Sequence, residues 1–481
     1  MLSFTSPACN KLKDQEHRLI HKRSRLKYKG YFRFLRTPST SSEFSTPFSV
    51  EDEYTSVAFP SRMALQQRSI FLFVVAATLR LAVFYLFSQI TAVLSEQVEI
   101  ATPVSSYKRL LEGLFLYERG VSPYDGGVYH QAPLLLLVFQ FLPSAVVFTS
   151  LDLLNAYNIA IVAERLTLPS PRFRKLDGSQ LAVAYLFNPF TILSCLGQST
   201  TVFTNAAIIQ AIASASIGNT FSTMFTIAVG TYFSLYPALL LPPLILLWAQ
   251  AKKKQVRFQN FVAPVGVFVG TLVLLLSVSA LLVGGFRDFL VSCYGAQITV
   301  TDLTPNIGLW WYFFIEIFEA FRNFFIGVFW IHLIGYVGAL TIRLPEQPLF
   351  VISSLVGLIT IFKPYPSISD VSLYLGLLPL YKHIMPGESG SVSYVFLTNS
   401  QTVTRYTFVA ASVLLYTTLL GPAFYHIWIY AGSGNANFFY AITLVWSLGL
   451  SMLIGDSLFA VLRDEWEMIR PEMRGKEVRQ I

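Results

Sequence analysis

Residues 261–283, FVAPVGVFVGTLVLLLSVSALLV, form an apolar stretch that contains no charged residue. A helical crossing of the hydrocarbon core takes roughly 20 apolar residues, and this stretch is long enough to provide one. Similar stretches recur from about residue 68 to residue 462. The whole chain of 481 residues is 54% hydrophobic and only 13% charged, with a mean hydropathy of +0.55. The sequence therefore predicts a membrane protein with many spans.

The other apolar stretches bring the predicted number of transmembrane helices to about twelve. Several are shorter than the ~17 residues of a straight crossing, which indicates an uneven, GT-C-like bundle of short or broken helices. The aromatic stretch 306–321 contains Glu316 and Glu319 and is predicted to lie at the membrane interface. The predicted spans are 69–90, 132–161 (one long or two short helices), 181–196, 201–215, 221–235, 238–251, 261–283, 324–342, 349–362, 371–381, 406–424 and 441–461. The fold class is all-α and polytopic.

The basic segment AKKKQVR, residues 251–257, is the strongest orientation signal in the chain. Lys and Arg prefer the cytosolic side of a membrane, and the span count then places both chain ends in the cytosol. Four polar loops fall on the opposite, luminal side. They are SPYDGGVYHQAP (122–133), DLTPN (302–306), KPYPSISD (363–370) and AGSGNAN (431–437).

Three regions of different composition indicate the domain organisation. Residues 1–62 are basic and rich in Ser, Thr and Pro, a composition that predicts a disordered N-terminal extension. We favour a dispensable extension with Met63 as an alternative start, and a mitochondrial targeting segment is a second interpretation. Residues 63–463 form the multi-span membrane domain, and residues 464–481 are a short cytosolic tail.

Charge and cysteine content exclude several classes of function. The formal charge of +8 lies largely in the first 62 residues and in short loops, where it sets membrane orientation, so nucleic-acid binding is excluded. Cys9, Cys195 and Cys293 have neither paired nor metal-like spacing, so the sequence predicts no disulfide framework, metal site or cofactor. With no His near it in sequence, Cys293 is predicted to be a packing residue rather than a catalytic thiol.

The strongest candidate binding site is the turn that contains Asn435 and Asn437. Both amides, with Gly432, lie in a compact polar turn between two apolar spans, flanked by Trp428. Amides can hydrogen-bond a glycan or a phosphate, and aromatic side chains suit the headgroup level of a bilayer. The alternative is a tight luminal turn with an aromatic belt.

Four further polar residues are candidates because of their depth or their position in a polar loop. Lys363 could pair with an anionic headgroup or act as an interfacial anchor, and His130 lies in the loop before a span. Asn188 precedes Pro189 and breaks a span, which frees backbone groups for a neighbour or a ligand. Arg80 lies inside the first span and is expected to meet a phosphate or, more commonly, a carboxylate in a structural ion pair.

The loop after the first span resembles the first luminal loop of the GT-C glycosyltransferases that use dolichol-phosphate sugars. Those enzymes place an acidic pair just after the first span, where one carboxylate can act as a base. The corresponding stretch QITAVLSEQVEIATPVSS contains Glu96 and Glu99 but no adjacent acidic pair. A glycosyltransferase-like scaffold without its catalytic carboxylates fits better.

Several separated motifs resemble the PIG-U family, a membrane subunit of the GPI (glycosylphosphatidylinositol) transamidase complex. They are YLFNPFTILSC (185–195), FSLYPALL (233–240), DLTPNIGLWWYFFIEIFE (302–319), FKPYPSISDVSLYL (362–375) and HIWIYAGSGNANFFYAITL (426–444). The resemblance implies a noncatalytic subunit of a complex in the endoplasmic reticulum membrane. Its partners would be GPI lipid, a precursor protein with a C-terminal signal, and other subunits, including a caspase-like cysteine protease that carries the catalytic thiol.

Two alternatives remain open at this point. A GT-C type mannosyltransferase of GPI biosynthesis, which uses dolichol-phosphate-mannose, is suggested by the same luminal loop. A transporter or scramblase is suggested only by the number of spans and the broken helices.

Overall fold

A computed structural model describes residues 67–168, 170–253, 259–385 and 406–473. Predictions for residues 1–62, for most of AKKKQVR, for the loop 386–405 and for the end of the tail lie outside these ranges. Within them the chain is helical and has no strand, which confirms the all-α class. In chain order the helices are α1 (Gln67–Leu86), α2 (Ser88–Leu94), α3 (Tyr107–Glu118), α4 (Leu134–Phe141), α5 (Ser144–Arg165), α6 (Gly178–Leu186), α7 (Pro189–Leu196), α8 (Thr201–Ile217), α9 (Thr220–Phe233), α10 (Leu241–Ala251), α11 (Gln259–Val283), α12 (Arg287–Phe289), α13 (Ala296–Thr299), α14 (Trp310–Glu316), α15 (Glu319–Arg343), α16 (Pro348–Phe362), α17 (Ile368–Leu377), α18 (Thr407–Ile429) and α19 (Ala436–Ile469).

Among the helices of these ranges, 6 are long and apolar enough to cross a membrane, namely α1, α5, α11, α15, α18 and α19. The pair α6 and α7, bent by 53°, is a further crossing if it counts as one span. Other apolar helices are shorter, among them α8, α10 and α16. A polytopic membrane protein is thus confirmed, although the predicted twelve crossings exceed the helices that can span unaided.

Proline residues explain why several predicted spans are divided. Pro143 separates α4 from α5, so the stretch 132–161 contains two helices rather than one. Pro189 begins α7 directly after the Asn188 cap; proline provides no N–H and fixes φ, so it starts a helix well and interrupts one badly. The stretch 371–381 is the ten-residue α17 followed by a 3₁₀ turn, about 15 Å of helix and too short for a crossing.

Short helices are tolerated because protein, rather than lipid, surrounds them. Nearly every side chain of α16 is buried, as is most of α8. Glycines allow the close approach: a Cβ at Gly178 would lie 2.6 Å from the carbonyl oxygen of Ala160, and one at Gly376 would lie 2.7 Å from the Tyr185 ring. Small residues at helix contacts are the usual means of packing helices within a membrane.

Arg80 holds the first span to the core. Its Nε lies 3.0 Å from Asp152 Oδ2 of α5, and both side chains are almost fully buried. Its Nη2 donates to the carbonyl of Leu186 at 2.7 Å, where α6 ends. The guanidinium is therefore engaged by protein, and the structure contains the ion pair rather than a free cation.

The two ends of the helical bundle differ in their chemistry. One end of the bundle, which we call the charged end, is formed by the C-termini of α10, α15 and α19 and by the loop 166–177. Arg172 contacts Asp464 at 3.1 Å and Glu467 at 2.6 Å, and Arg343 contacts Glu465 at 3.1 Å. Helix α19 continues to Ile469, past the predicted boundary at residue 463. The opposite end, which we call the loop end, is formed by loops 95–106, 119–133, 300–309, 363–367 and 430–435.

Candidate functional site

The polar loops that the sequence assigns to one side of the membrane come together at the loop end. The hydroxyl of Tyr365 in KPYPSISD donates a hydrogen bond to the carbonyl oxygen of Asp302 in DLTPN at 2.8 Å. The hydroxyl of Tyr440, just inside α19, donates to the carbonyl of Leu309 at 3.1 Å. Ile368 N donates to the carbonyl of Glu99 at 2.8 Å. These contacts join segments that lie between 63 and 269 residues apart in the chain.

Arg109 and Asp302 join the first polar loop to DLTPN. Nη1 of Arg109 lies 2.7 Å from Oδ2 of Asp302, and His130 Nε2 lies 3.9 Å from the same oxygen. His130 Nδ1 is 2.9 Å from the carbonyl oxygen of Ser292. Burial opposes ionisation of Asp302, but hydrogen bonds from Thr304 and Arg109 outweigh it and lower the pKa. Burial, with Arg109 nearby, lowers the pKa of His130, so its ring is neutral at pH 7.

Lys363 is engaged within the protein. Its Nζ lies 2.6 Å from Oδ1 of Asp370, and its side chain is largely buried. Both residues line a cavity of about 30 Å³, into which Tyr236 also faces. That volume holds roughly two water molecules and is too small for a sugar or a phosphate. A headgroup phosphate at Lys363 would have to compete with Asp370.

The turn at residues 430–437 presents its amides to the surface. Asn435 is the N-cap of α19, where its side chain accepts a hydrogen bond from Phe438 N at 3.3 Å. Asn437 accepts one from the hydroxyl of Tyr312, and both asparagines are exposed. Gly432 has φ +63°, a left-handed conformation that glycine adopts without strain. Each asparagine therefore retains an amide NH₂ for which the described residues provide no hydrogen bond.

Aromatic side chains pack beside this turn and form what we call the aromatic cluster. Trp311 is its buried centre, 6.1 Å from Trp428 and 6.1 Å from Phe439 between ring centroids. Its indole Nε1 is buried and has no hydrogen-bond partner. The members are Trp311, Tyr312, Tyr425, Trp428, Phe439 and Tyr440. The asparagine amides and the aromatic cluster together offer hydrogen bonds and flat apolar faces, the combination that binds sugar rings and lipid headgroups.

The two acidic residues after the first span have different surroundings. Glu96 is exposed and pairs with Lys108. Glu99 is half-buried, its Oε1 has no hydrogen-bond partner, and burial raises the pKa of its carboxyl group. The two carboxylates therefore do not form the acidic pair of an active glycosyltransferase.

Two predicted candidates lie away from the loop end. Asn188 accepts a hydrogen bond from Phe190 N at 3.0 Å and caps α7 between the two halves of the bent pair. Arg80 is held by Asp152.

Asn306, in the loop 300–309, is a turn residue whose side-chain oxygen accepts a hydrogen bond from Gly308 N at 2.7 Å.

The cysteines of the described chain are buried. Cys293 lies beside His130 in space, although the two are remote in sequence, because Cys293 follows Ser292 and its Sγ donates to the carbonyl of Gln131 at 3.0 Å. Burial raises the pKa of the Cys293 thiol to about 12, so it is not a thiolate at neutral pH. Its surroundings are those of a packing residue.

Sequence reasoning did not nominate Trp311, Arg109 or Glu99 as functional residues. Trp311 was within reach, since the WWY run follows DLTPN after three residues and aromatic residues near a polar loop suggest a binding surface. The pairing of Arg109 with Asp302 and the burial of Glu99 depend on long-range contacts. One sequence carries no signal for such contacts.

Comparison with known proteins gives a consistent result across most of the chain. The family described as GPI transamidase subunit PIG-U matches residues 74–446. The chain is 37% identical over 424 residues to the GPI-anchor transamidase component PIGU of Homo sapiens, covering 82% of this chain and 93% of that protein. It is 33% identical over 401 residues to the GPI transamidase component GAB1 of Saccharomyces cerevisiae, covering 83% and 95% respectively.

Proposed function

The chain belongs to the PIG-U family of GPI transamidase subunits, and from this premise we propose that it is the noncatalytic subunit that holds the GPI lipid. In this role it binds the headgroup at the loop end and presents it to a catalytic subunit. The site is in the endoplasmic reticulum membrane, and the loop end faces the lumen. The partners are the other subunits, among them a caspase-like cysteine protease, and the precursor protein.

The observation that carries this proposal is the pairing of exposed amides with aromatic side chains at one place. Asn435 and Asn437 lie next to Trp428 and to Tyr312, in a turn directly between two helices long enough to span. A lipid whose tails lie beside α18 and α19 would place its headgroup at this depth. The same turn therefore suits a ligand that is part lipid and part sugar.

The chemistry of the cysteines supports a noncatalytic role. A nucleophilic thiol must be accessible and readily ionised, whereas Cys195 and Cys293 are both buried. Cys9 lies outside the described residues, and we place the thiol that attacks the precursor in another subunit. The assignment predicts that loss of this chain leaves complete GPI lipid and unprocessed precursor together, whereas an under-mannosylated lipid would indicate a mannosyltransferase instead.

The decisive experiment replaces Asn435 and Asn437 together by leucine in cells that lack the native chain. Loss of two net hydrogen bonds of about 1 kcal/mol each predicts that GPI attachment per molecule of chain falls by roughly thirtyfold. Attachment is measured as surface GPI-anchored reporter, divided by the amount of chain in the purified complex.

The matched control is Asn219→Leu. Asn219 is also an exposed N-cap, accepting a hydrogen bond from Ser222 N at 3.1 Å, but it lies next to Lys252 at the charged end. Both replacements remove a cap, so both cost about 1 kcal/mol of stability, and only the loop-end variant should lose attachment per molecule. Equal attachment per molecule in the two variants would show that the loop-end amides are structural.

A further inference from the structure

Glu99 is a carboxylate placed where an ionised group needs a partner. Its backbone is fixed by the hydrogen bond from Ile368 N, and its Oε1 is shielded from solvent without any hydrogen bond. Among the described residues no Lys, Arg or His forms an ion pair with it. A buried carboxylate oxygen without a donor is costly, and a bound group that donates a hydrogen bond to it would remove that cost.

The side chain of Glu99 faces the helix that carries part of the aromatic cluster. A Cβ placed on Gly421 of α18 would lie 3.8 Å from Glu99 Oε1. Tyr425 lies four residues further along α18, on the same face of that helix. Its ring packs 5.2 Å from Phe439 and 6.0 Å from Trp428. Val98, the neighbour of Glu99, belongs to the same packed group as Trp311.

A second unsatisfied polar atom lies within the same group. Nε1 of Trp311 has no partner, although the side chain is 1% exposed. An indole N–H only donates, and a carboxylate only accepts. The aromatic cluster thus contains one orphan donor and adjoins one orphan acceptor, next to the exposed amides of Asn435 and Asn437.

We propose that Glu99 and the aromatic cluster form a subsite for the protonated primary amine of a lipid headgroup. The ammonium donates to the carboxylate of Glu99 and lies against the aromatic faces, which attract cations through their quadrupole. The indole N–H of Trp311 donates to a phosphate or hydroxyl oxygen of the same headgroup. This inference rests on the proposed headgroup site and adds the chemical group that the site selects.

An aminated headgroup has two possible sources. It is either an amine carried by the glycolipid substrate or the ethanolamine group of a bilayer phospholipid. Both present the same ammonium and phosphate chemistry, so competition between probes distinguishes them.

The test uses the detergent-purified complex that contains the full chain. Binding of a mannosyl phosphoethanolamine is compared with that of its N-acetylated form, which has no positive charge. A charge-assisted hydrogen bond predicts that the wild-type complex prefers the amine by roughly tenfold. Glu99→Gln, which keeps the side-chain shape, should reduce that ratio to about one. Glu96→Gln, three residues earlier on an exposed side chain, should leave the ratio unchanged.

A merely structural Glu99 gives a different result. Glutamine then raises or preserves the thermal stability of the complex, because an unpaired buried charge is removed, and the amine preference persists. That result overturns the subsite, as does a wild-type complex with no preference for the amine.

The remaining arms separate this inference from the proposed function. The Asn435→Leu, Asn437→Leu variant should weaken both probes equally while the amine ratio survives. If it weakens neither probe, the two asparagines are not part of the headgroup site and the proposed function fails at that turn, whereas the Glu99→Gln ratio still tests the amine subsite. Nanodiscs of phosphatidylcholine with phosphatidylethanolamine serve as competitors, against phosphatidylcholine alone. Displacement only by the aminated nanodiscs supports the subsite with bilayer lipid as its source, and amine preference without displacement supports it with the glycolipid as its source.

Discussion

Both ends of the bundle contain ion pairs, such as that of Arg109 with Asp302 at the loop end, but the groups beside the aromatic cluster differ from those at the charged end. At the charged end, carboxylates meet guanidinium groups: Arg172 contacts both Asp464 and Glu467, and Arg343 contacts Glu465. At the loop end, Glu99 Oε1 and Trp311 Nε1 are buried without partners. Paired charges stabilise the fold, whereas unpaired polar groups beside an aromatic surface are available to a ligand.

Mutations at the paired residues should therefore affect abundance, and mutations at the 430–437 turn should affect function. Replacing a paired residue leaves its partner buried and uncompensated, so the chain becomes less stable while the surviving molecules work normally. Replacing a residue of the 430–437 turn should leave most of the fold intact but reduce attachment per molecule.

The largest effect is expected for Arg172→Met at the charged end. The carboxylates of Asp464 and Glu467 are nearly buried, and Arg172 is 25% exposed. A broken buried pair costs 3–5 kcal/mol in general, and partial exposure reduces the expected loss to about 2–3 kcal/mol. The thermal midpoint and the abundance of the complex should fall, while attachment per molecule stays at the wild-type level. An equal fall in attachment per molecule would break the comparison.

A smaller effect is expected for Gly432→Ala in the 430–437 turn. A Cβ there meets no atom within 4 Å, and φ is +63°, so the cost is backbone strain of about 1 kcal/mol. Gly120→Ala provides a matched control, with φ +73° and equally open surroundings. Both variants should lose similar stability in thermal unfolding of the complex. Only Gly432→Ala should reduce attachment per molecule, by roughly twofold to fivefold; the same reduction in both variants would indicate strain alone.

The smallest effect concerns the pH dependence of the contact between His130 and Ser292. Burial lowers the pKa of His130 from 6.5, so the unfolded chain takes up a proton at a higher pH than the folded chain. Stability is therefore complete above pH 6.5 and decreases as the pH falls through the lowered folded pKa. Asp302, whose pKa is lowered from 3.8, contributes only in stronger acid.

His130→Asn tests this sign, because an asparagine amide can still donate to the Ser292 carbonyl. The thermal midpoint of the wild-type complex should fall more between pH 7.5 and pH 5.5 than that of the variant. An identical fall in both would show that other groups cause the acid sensitivity.

Much of the fold follows from local sequence. Apolar stretches identify the long helices, and the Asn188–Pro189 pair identifies the break between α6 and α7. In α3 the burial follows helical spacing, since Leu110 and Leu114 are buried while Leu111 and Phe115 remain exposed. Of the roughly twelve predicted crossings, six described helices are long and apolar enough to span unaided, and composition does not tell whether a short apolar helix is covered by lipid or by protein.

The candidate site was predicted only where local sequence carries it. The turn with Asn435 and Asn437 was identified because amides, glycines and aromatic residues are adjacent in the chain. Glu96 and Glu99 were equivalent in the sequence, yet one pairs with Lys108 and the other is buried against α18. Likewise, the ion pair between Arg80 and Asp152 forms only in the folded chain, because the two residues are remote in sequence. Such pairings depend on contacts across the whole bundle.

The most direct test of the central claim places a photo-crosslinking amino acid at each end of the bundle. Tyr430, next to the 430–437 turn, and Phe221, at the charged end, are matched in exposure at 64% and 65%. Complexes that carry the crosslinker at either position are irradiated with GPI lipid labelled in its glycan. Capture at position 430 and none at position 221 is the predicted result; capture at position 221, or at both positions equally, would contradict the claim that the loop end holds the headgroup.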